Sequence, residues 1–155
     1  MRQAILYLAI ATSLICLASE PAHTQSAPRM PDTNGLTILV RTTIIALDQA
    51  NRTGNYTVFR DLGTPGFQKS NTAAKLASIF ATLRAKNLNL GPVVMIAPKF
   101  TKKPALNKQG MLQLTGYFPT RPLRINFDLL YRWAGNRWSL FGIAAQANPA
   151  PAKSQ

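Results

Sequence analysis

The sequence predicts an α+β fold in which three helices are packed on a mostly antiparallel sheet of four to six strands. Apolar residues recur at helical spacing between Leu36 and Lys86. From Leu123 to Trp133, apolar and polar residues alternate with the period of a half-buried strand. The turn Ala134–Asn136 joins this strand to a second apolar arm that ends at Ala145, as in a β-hairpin. Helices followed by antiparallel strands are typical of the α+β class.

Residues 1–24 are predicted to be a secretory signal peptide. Met1–Gln3 is a short basic start, and Ala4–Ala18 is an apolar run followed by small and polar residues. This run is shorter than the roughly 20 residues that span a bilayer. We expect cleavage after Thr24 and export to the periplasm or the extracellular medium, with a retained N-terminal anchor as the alternative.

Loss of the leader restricts the chemistry of the mature chain. The predicted signal peptide contains Cys16, His23 and Glu20, which are the only cysteine, histidine and glutamate of the sequence. The mature chain is therefore expected to form no disulfide, to hold no metal or cofactor, and to lack the base of a Ser-His-Asp or Cys-His arrangement. Activity as an enzyme becomes the minority hypothesis.

The helices are predicted in chain order after a flexible lead-in, residues 25–32. The first is capped near Asp32 and ends before Gly54. The segment Leu62–Phe67 is expected to be a loop, because it holds two glycines and a proline. Ser70 or Asn71 is expected to cap the third helix. The predicted helices are Leu36–Asn51, Tyr56–Asp61 and 71–86.

The strands are predicted after Gly91-Pro92. Val93–Ala97 reads as an apolar strand, and the basic stretch Lys99–Gln109 reads as an edge hairpin with its tip near Asn107. Gly110–Pro119 is the next strand, and the hairpin 123–145 closes the sheet. The domain is predicted to cover residues 33–147 and a loose tail residues 148–155.

The element order and aromatic placement resemble the NTF2-like superfamily, which includes ketosteroid isomerases and SnoaL-like cyclases. The resemblance spans roughly residues 36–146 and includes Tyr56–Asp61 and the closing aromatic segments Tyr131–Trp133 and Asn136–Trp138. It implies a strongly bent sheet wrapped around the helices into a cone with an internal pocket, and a homodimer formed through the outer sheet face. A fold alone does not determine activity.

The resemblance also implies two candidate catalytic residues. The isomerase-type members use carboxylic acids and a tyrosine, and here Asp61 and Tyr56 are the closest counterparts. The alternative is that Asp61 caps a turn and Tyr56 packs in the core. Asp48 is expected to be exposed, and Asp128 to point away from the pocket and pair with Arg124 or Arg132. The pocket would then lack the second inward-facing carboxylate that isomerase chemistry of this type requires.

Aromatic side chains could instead line a pocket for a small apolar ligand, since ligand sites are mostly apolar. The alternative is that they fill the core. The candidate ligand-binding residues are Tyr56, Phe59, Phe118, Phe127, Tyr131 and Trp133.

The formal net charge is +13, from 18 Lys and Arg against 5 Asp and Glu. The basic residues are spread along the chain rather than clustered among aromatics, so a specific nucleic-acid partner is not expected. Anionic envelope material is the expected partner if the charge has a target. The sequence thus predicts a non-enzymatic binding or structural module, with a small-molecule isomerase or cyclase and an envelope-surface binding protein as alternatives.

Overall fold

Helices come first and strands second in the computed structural model, which describes residues 28–151. The predicted α+β class with an antiparallel sheet is confirmed. Among the described residues there are five α-helices, so the predicted number of three is wrong. These are α1 (Thr33–Thr53), α2 (Thr57–Asp61), α3 (Pro65–Ser70), α4 (Ala73–Ile79) and α5 (Ala81–Ala85). The strands are β1 (Lys99–Phe100), β2 (Ala105–Leu106), β3 (Leu112–Phe118), β4 (Leu123–Ala134) and β5 (Arg137–Pro149).

Helix α1 begins and ends where its capping residues predict. The Asp32 carboxylate accepts a hydrogen bond of 2.7 Å from the Gly35 N–H, which satisfies one of the unpaired donors of the first turn. Gly54 ends the helix in the left-handed region, with a φ of 71° that favours glycine. One face of α1 is buried in the core at Leu36, Val40, Ile44 and Leu47.

The two additional helices arise where the sequence was interpreted as loop and as continuous helix. Helix α3 lies partly in the predicted loop, because Thr64 caps it by accepting a hydrogen bond from the Phe67 N–H, and Pro65 fits its first turn. The predicted third helix is interrupted at Phe80, whose backbone angles (φ −94°, ψ 10°) are not helical. It is capped by Thr72 rather than by Ser70 or Asn71.

The predicted strand Val93–Ala97 is wrong. Gly91–Val94 forms a 3-10 helix, with Pro92 in its first turn. The Asp48 carboxylate accepts a hydrogen bond from the Leu90 N–H just before this turn, at 3.1 Å. Val93 is buried, whereas Val94 and Met95 are exposed. The apolar run therefore contributes the buried Val93 and the partly buried Ile96 to the core instead of a strand to the sheet.

The sheet is antiparallel and has β4 and β3 at its centre. Both β1 and β2 pair with the same edge of β3, and β5 forms the opposite edge beside β4. A β-bulge interrupts the β4–β5 register at Leu130/Tyr131, where such irregularities bend a strand. The predicted tail begins at residue 148, but β5 continues to Pro149.

The alternation predicted for β4 is confirmed. Ile125, Phe127, Leu129 and Tyr131 are buried on the helix-facing side of the sheet, and their neighbours are more exposed. The predicted signal peptide, residues 1–24, lies outside the described residues. Between residues 28 and 151, no helix has the length and hydropathy needed to cross a bilayer.

Candidate functional site

The two candidate catalytic residues lie in different environments. The Tyr56 side chain is buried at the start of α2, and its hydroxyl donates to the Asn51 side-chain oxygen and accepts from Arg84 at 3.1 Å. The Asp61 side chain is 49% exposed and pairs with the Arg60 guanidinium at 3.0 Å. The structure therefore places a satisfied tyrosine in the core and a carboxylate on the surface.

The remaining aromatic candidates mostly form the core between sheet and helices. Phe59, Phe118, Phe127 and Tyr131 are each at most 3% exposed. Phe118 and Phe127 pack with their ring centroids 5.6 Å apart. Trp133 is half-buried near the end of β4, where its ring meets that of Trp138 edge-on at 5.5 Å.

Two aspartates differ from their predicted roles. Asp48, expected to be exposed, is 4% exposed; one carboxylate oxygen accepts from the Leu90 N–H, and the other lies 3.8 Å from the Arg52 guanidinium. Its buried position is stabilised because a backbone donor and a cation both meet it.

Asp128 does lie on the outer sheet face, away from the core, but its predicted pairing with Arg124 or Arg132 is wrong. It accepts hydrogen bonds from the side chains of Thr115 and Gln113, both at 3.1 Å. Arg124 stacks on the Tyr117 ring at 4.5 Å, and Arg132 lies over Phe141 at 4.8 Å. The homodimer through this outer face stays a prediction.

A groove of about 470 Å³ lies between the α4–α5 helices and the edge strand β5. We name it the β5 groove. Its volume falls in the range of small-ligand sites, about 300–1,000 Å³. One wall comes from α4, Phe80 and α5, and the other from the second half of β5. The lining residues are Ile79, Phe80, Thr82, Leu83, Lys86, Ile143, Ala144, Ala145, Gln146, Ala147 and Asn148.

Side-chain size explains why this groove is open. Ala145 and Ala147 stand on the helix-facing side of β5, opposite Phe127 and Ile125 of β4. Their methyl groups are too short to fill the space between β5 and α5, the helix that contains Leu83. The Phe80 ring points into the core, where it packs against Tyr56 and Phe59. It therefore lies at the bottom of the groove and leaves the opening to solvent unfilled.

The edge of β5 that is not paired with β4 faces the groove. The Lys86 ammonium donates a hydrogen bond of 2.7 Å to the Ala147 carbonyl, so that carbonyl points away from β4. In an antiparallel strand, alternate residues direct both backbone groups to the same side. Ala145 and Ile143 therefore also direct their N–H and C=O groups outward, and no hydrogen bond within residues 28–151 engages these groups.

The electrostatics of the groove are simple. Among residues 28–151, Lys86 is the one charged residue that lines the groove, and no carboxylate does. Within the described part of the chain, no cluster of His, Cys, Asp or Glu could hold a metal ion. The arrangement can hold an apolar group against Ile79 and Leu83, accept or donate hydrogen bonds along β5, and attract a negative charge at Lys86.

The groove residues were not among the site residues predicted from the sequence. One signal was available, since β5 carries no charged residue from Ser139 to Pro149 and has alanine at three positions between Ile143 and Asn148. Edge strands usually carry charges that discourage pairing, so an uncharged strand of this kind suggests a protected or a functional edge. The residues opposite it on α4 and α5 become neighbours only through the tertiary fold.

Comparison of the chain with protein-family models, with curated proteins and with solved structures finds no match.

Proposed function

We propose that the protein is an exported, non-enzymatic binding module that holds an apolar ligand in the β5 groove. The observation that supports this function is an open groove of about 470 Å³ with Ile79 and Leu83 on its helical wall. Ile79 is 53% exposed, which leaves its apolar surface available to a ligand. Covering such surface is favourable by about 25 cal/mol per Å².

The NTF2-like resemblance belongs to the same proposal. Helices that precede a bulged antiparallel sheet and cover one of its faces support a cone-like arrangement. The ligand would then lie beside β5, near the edge of the sheet, while the aromatic residues Phe118 and Phe127 stay in the core. The proposed site thus lies between sheet and helices but not among the aromatic candidates.

The test is a fluorescence titration of the full chain with N-phenyl-1-naphthylamine, a neutral apolar probe that brightens when it leaves water. We expect saturable binding by the wild-type protein. The substitution Ile79→Lys should weaken binding at least about tenfold, equal to ~1.4 kcal/mol, because it places a charge where the apolar probe lies.

The matched control is Ile38→Lys. Ile38 is 58% exposed on α1 and receives the same change of size and charge outside the groove lining. We expect probe binding like that of the wild type. Equal losses in the two variants, or binding that does not saturate, would contradict the proposed function.

A second candidate function is binding to anionic envelope surfaces. The scarcity of ion pairs favours this function, since in residues 28–151 only Arg52 and Arg60 have a carboxylate within 4.0 Å. Most of the positive charge is therefore available to an external polyanion.

A further inference from the structure

The outer edge of β5 is exposed to the groove over a short, defined segment. Near its start, the Leu140 carbonyl accepts a hydrogen bond of 2.8 Å from the Thr64 N–H, in the connection between α2 and α3. Near its end, Lys86 covers the Ala147 carbonyl, and Pro149 ends the strand. Between these two points, the outward groups of Ile143 and Ala145 are open to the groove.

We propose that the β5 groove binds an extended peptide segment of a partner protein, which adds a strand to β5 between Ile143 and Ala147. This inference rests on the proposed function of the groove and names its ligand class. Main-chain hydrogen bonds to an open sheet edge give affinity in strand addition, and pockets for alternate side chains give specificity. Both features occur together in this groove.

The side-chain preference of the peptide follows from the two faces of the added strand. Successive side chains of a strand point to opposite faces, so every second peptide side chain enters the space between β5 and the helices. There it meets Ile79, Phe80 and Leu83. Apolar residues at alternate positions fit this wall, whereas the intervening positions face solvent on the outer side beside Ala144 and Gln146, both exposed.

Charge selects between a foreign peptide and a second copy of this chain. Lys86 is the charged residue in the groove lining, so an acidic residue or a terminal carboxylate of the peptide is favoured at that end. A second copy that paired through its own β5 would bring no charged side chain from residues 139–149 to Lys86. The complementary partner is therefore an extended peptide that has apolar residues at alternate positions and an acidic group near Lys86.

The test begins with selection of random heptapeptides displayed on phage against the full chain. A synthetic copy of an enriched peptide is then titrated, and amide hydrogen exchange is measured with and without it. We expect enriched peptides with alternating apolar residues and a carboxylate. Exchange at Ile143 and Ala145 should slow at least about tenfold in the complex, since both N–H groups become hydrogen-bonded.

Two substitutions sharpen the test. Ala145→Pro removes an outward N–H while leaving the bonds to β4, because proline is tolerated on the open side of an edge strand. It should weaken peptide binding at least tenfold. Lys86→Gln should weaken binding of the acidic peptide but not of its neutral amide analogue.

Each remaining outcome has a definite meaning. Retention of the neutral probe without enriched peptides, or peptide binding without slowed exchange at Ile143 and Ala145, overturns strand addition but leaves the groove as the ligand site. Absence of both probe and peptide binding overturns the proposed function as well. If Ala145→Pro does not fold, the exchange measurement on the wild-type protein still decides the matter. Self-association in place of peptide binding would overturn the choice of partner.

Discussion

At the scale of single residues, the Tyr131 hydroxyl links the sheet to the first helix. It donates a hydrogen bond to the Leu39 carbonyl at 2.9 Å and forms another of 2.8 Å with the Thr43 hydroxyl. Two hydrogen bonds therefore connect strand β4 to α1. Burial raises the pKa of the Tyr131 hydroxyl well above its usual value, and the hydrogen bond with Thr43 opposes this only in part. The neutral phenol is therefore the form that the folded protein stabilises.

The substitution Tyr131→Phe should lower the free energy of unfolding at pH 7 by about 1–2 kcal/mol, because the Thr43 hydroxyl loses its partner. The folded-state pKa is raised, so this contribution is complete below the unfolded-state pKa of about 10. It is lost as the pH rises from there towards the folded-state value, since only the unfolded state then releases the proton.

Urea denaturation between pH 7 and pH 11 provides the measurement. The gap between wild type and Tyr131→Phe should be constant up to about pH 9 and should narrow above about pH 10. A gap that stays constant over the whole range would show that burial does not favour the neutral phenol.

At the scale of elements, the turn of the β4–β5 hairpin fixes the register of the long edge strand. Gly135 and Asn136 both have positive φ angles, 56° and 59°, as a two-residue turn of type I′ requires. Within the described part of the chain, no atom lies within 4 Å of a Cβ added at Gly135, so a substitution there meets backbone strain rather than a steric clash. Register depends on turn geometry, and a slip of one residue would move the core face of β5 to the outside.

The substitution Gly135→Ala should destabilise the protein by about 1–2 kcal/mol, the cost of the left-handed region for an L-residue with a side chain. Thermal or urea unfolding measures it. The matched control is Gly66→Ala, which lies in α3 with its added Cβ at an ordinary 3.8 Å from Phe141. Alanine favours a helix over glycine, so this control should not lose stability. An equal loss in both variants would contradict the role of the turn.

At the scale of the whole molecule, basic residues far outnumber acidic ones, with 18 Lys and Arg against 5 Asp and Glu. The four aspartates among residues 28–151 are already engaged: Asp32 caps α1, Asp48 is buried, Asp61 pairs with Arg60, and Asp128 accepts from Thr115. The net charge of +13 therefore acts outward, on whatever polyanion the protein meets.

Vesicle sedimentation tests this long-range attraction. The protein should bind phosphatidylglycerol vesicles at about 50 mM salt and leave them as the salt approaches about 1 M, because the Debye length falls to about 3 Å. Vesicles of phosphatidylcholine alone are the control and should retain little protein. Binding that is equal on both lipids, or that does not weaken with salt, would contradict an electrostatic origin.

The sequence predicted some parts of the fold and missed others for identifiable reasons. The caps at Asp32 and Gly54 and the alternation of β4 are local patterns, so α1 and the closing hairpin were predicted correctly. Val93–Ala97 has the same apolar composition as a buried strand, yet Gly91–Val94 forms a 3-10 turn and the Ile96 carbonyl accepts a hydrogen bond from Arg41 of α1. Short apolar runs remain ambiguous because periodicity needs several turns or strand repeats to be read.

The fold class, the helix-facing side of the sheet and the excess of positive charge follow from the sequence alone, because residue type, capping and alternation act over a few neighbouring positions. The tertiary structure was needed to show that most of the aromatic candidates fill the core, that Asp48 is buried, and that β5 leaves an open edge beside α4 and α5. These features depend on contacts between residues some 60 positions apart, such as Lys86 with Ala147, and no local pattern encodes which distant surfaces meet.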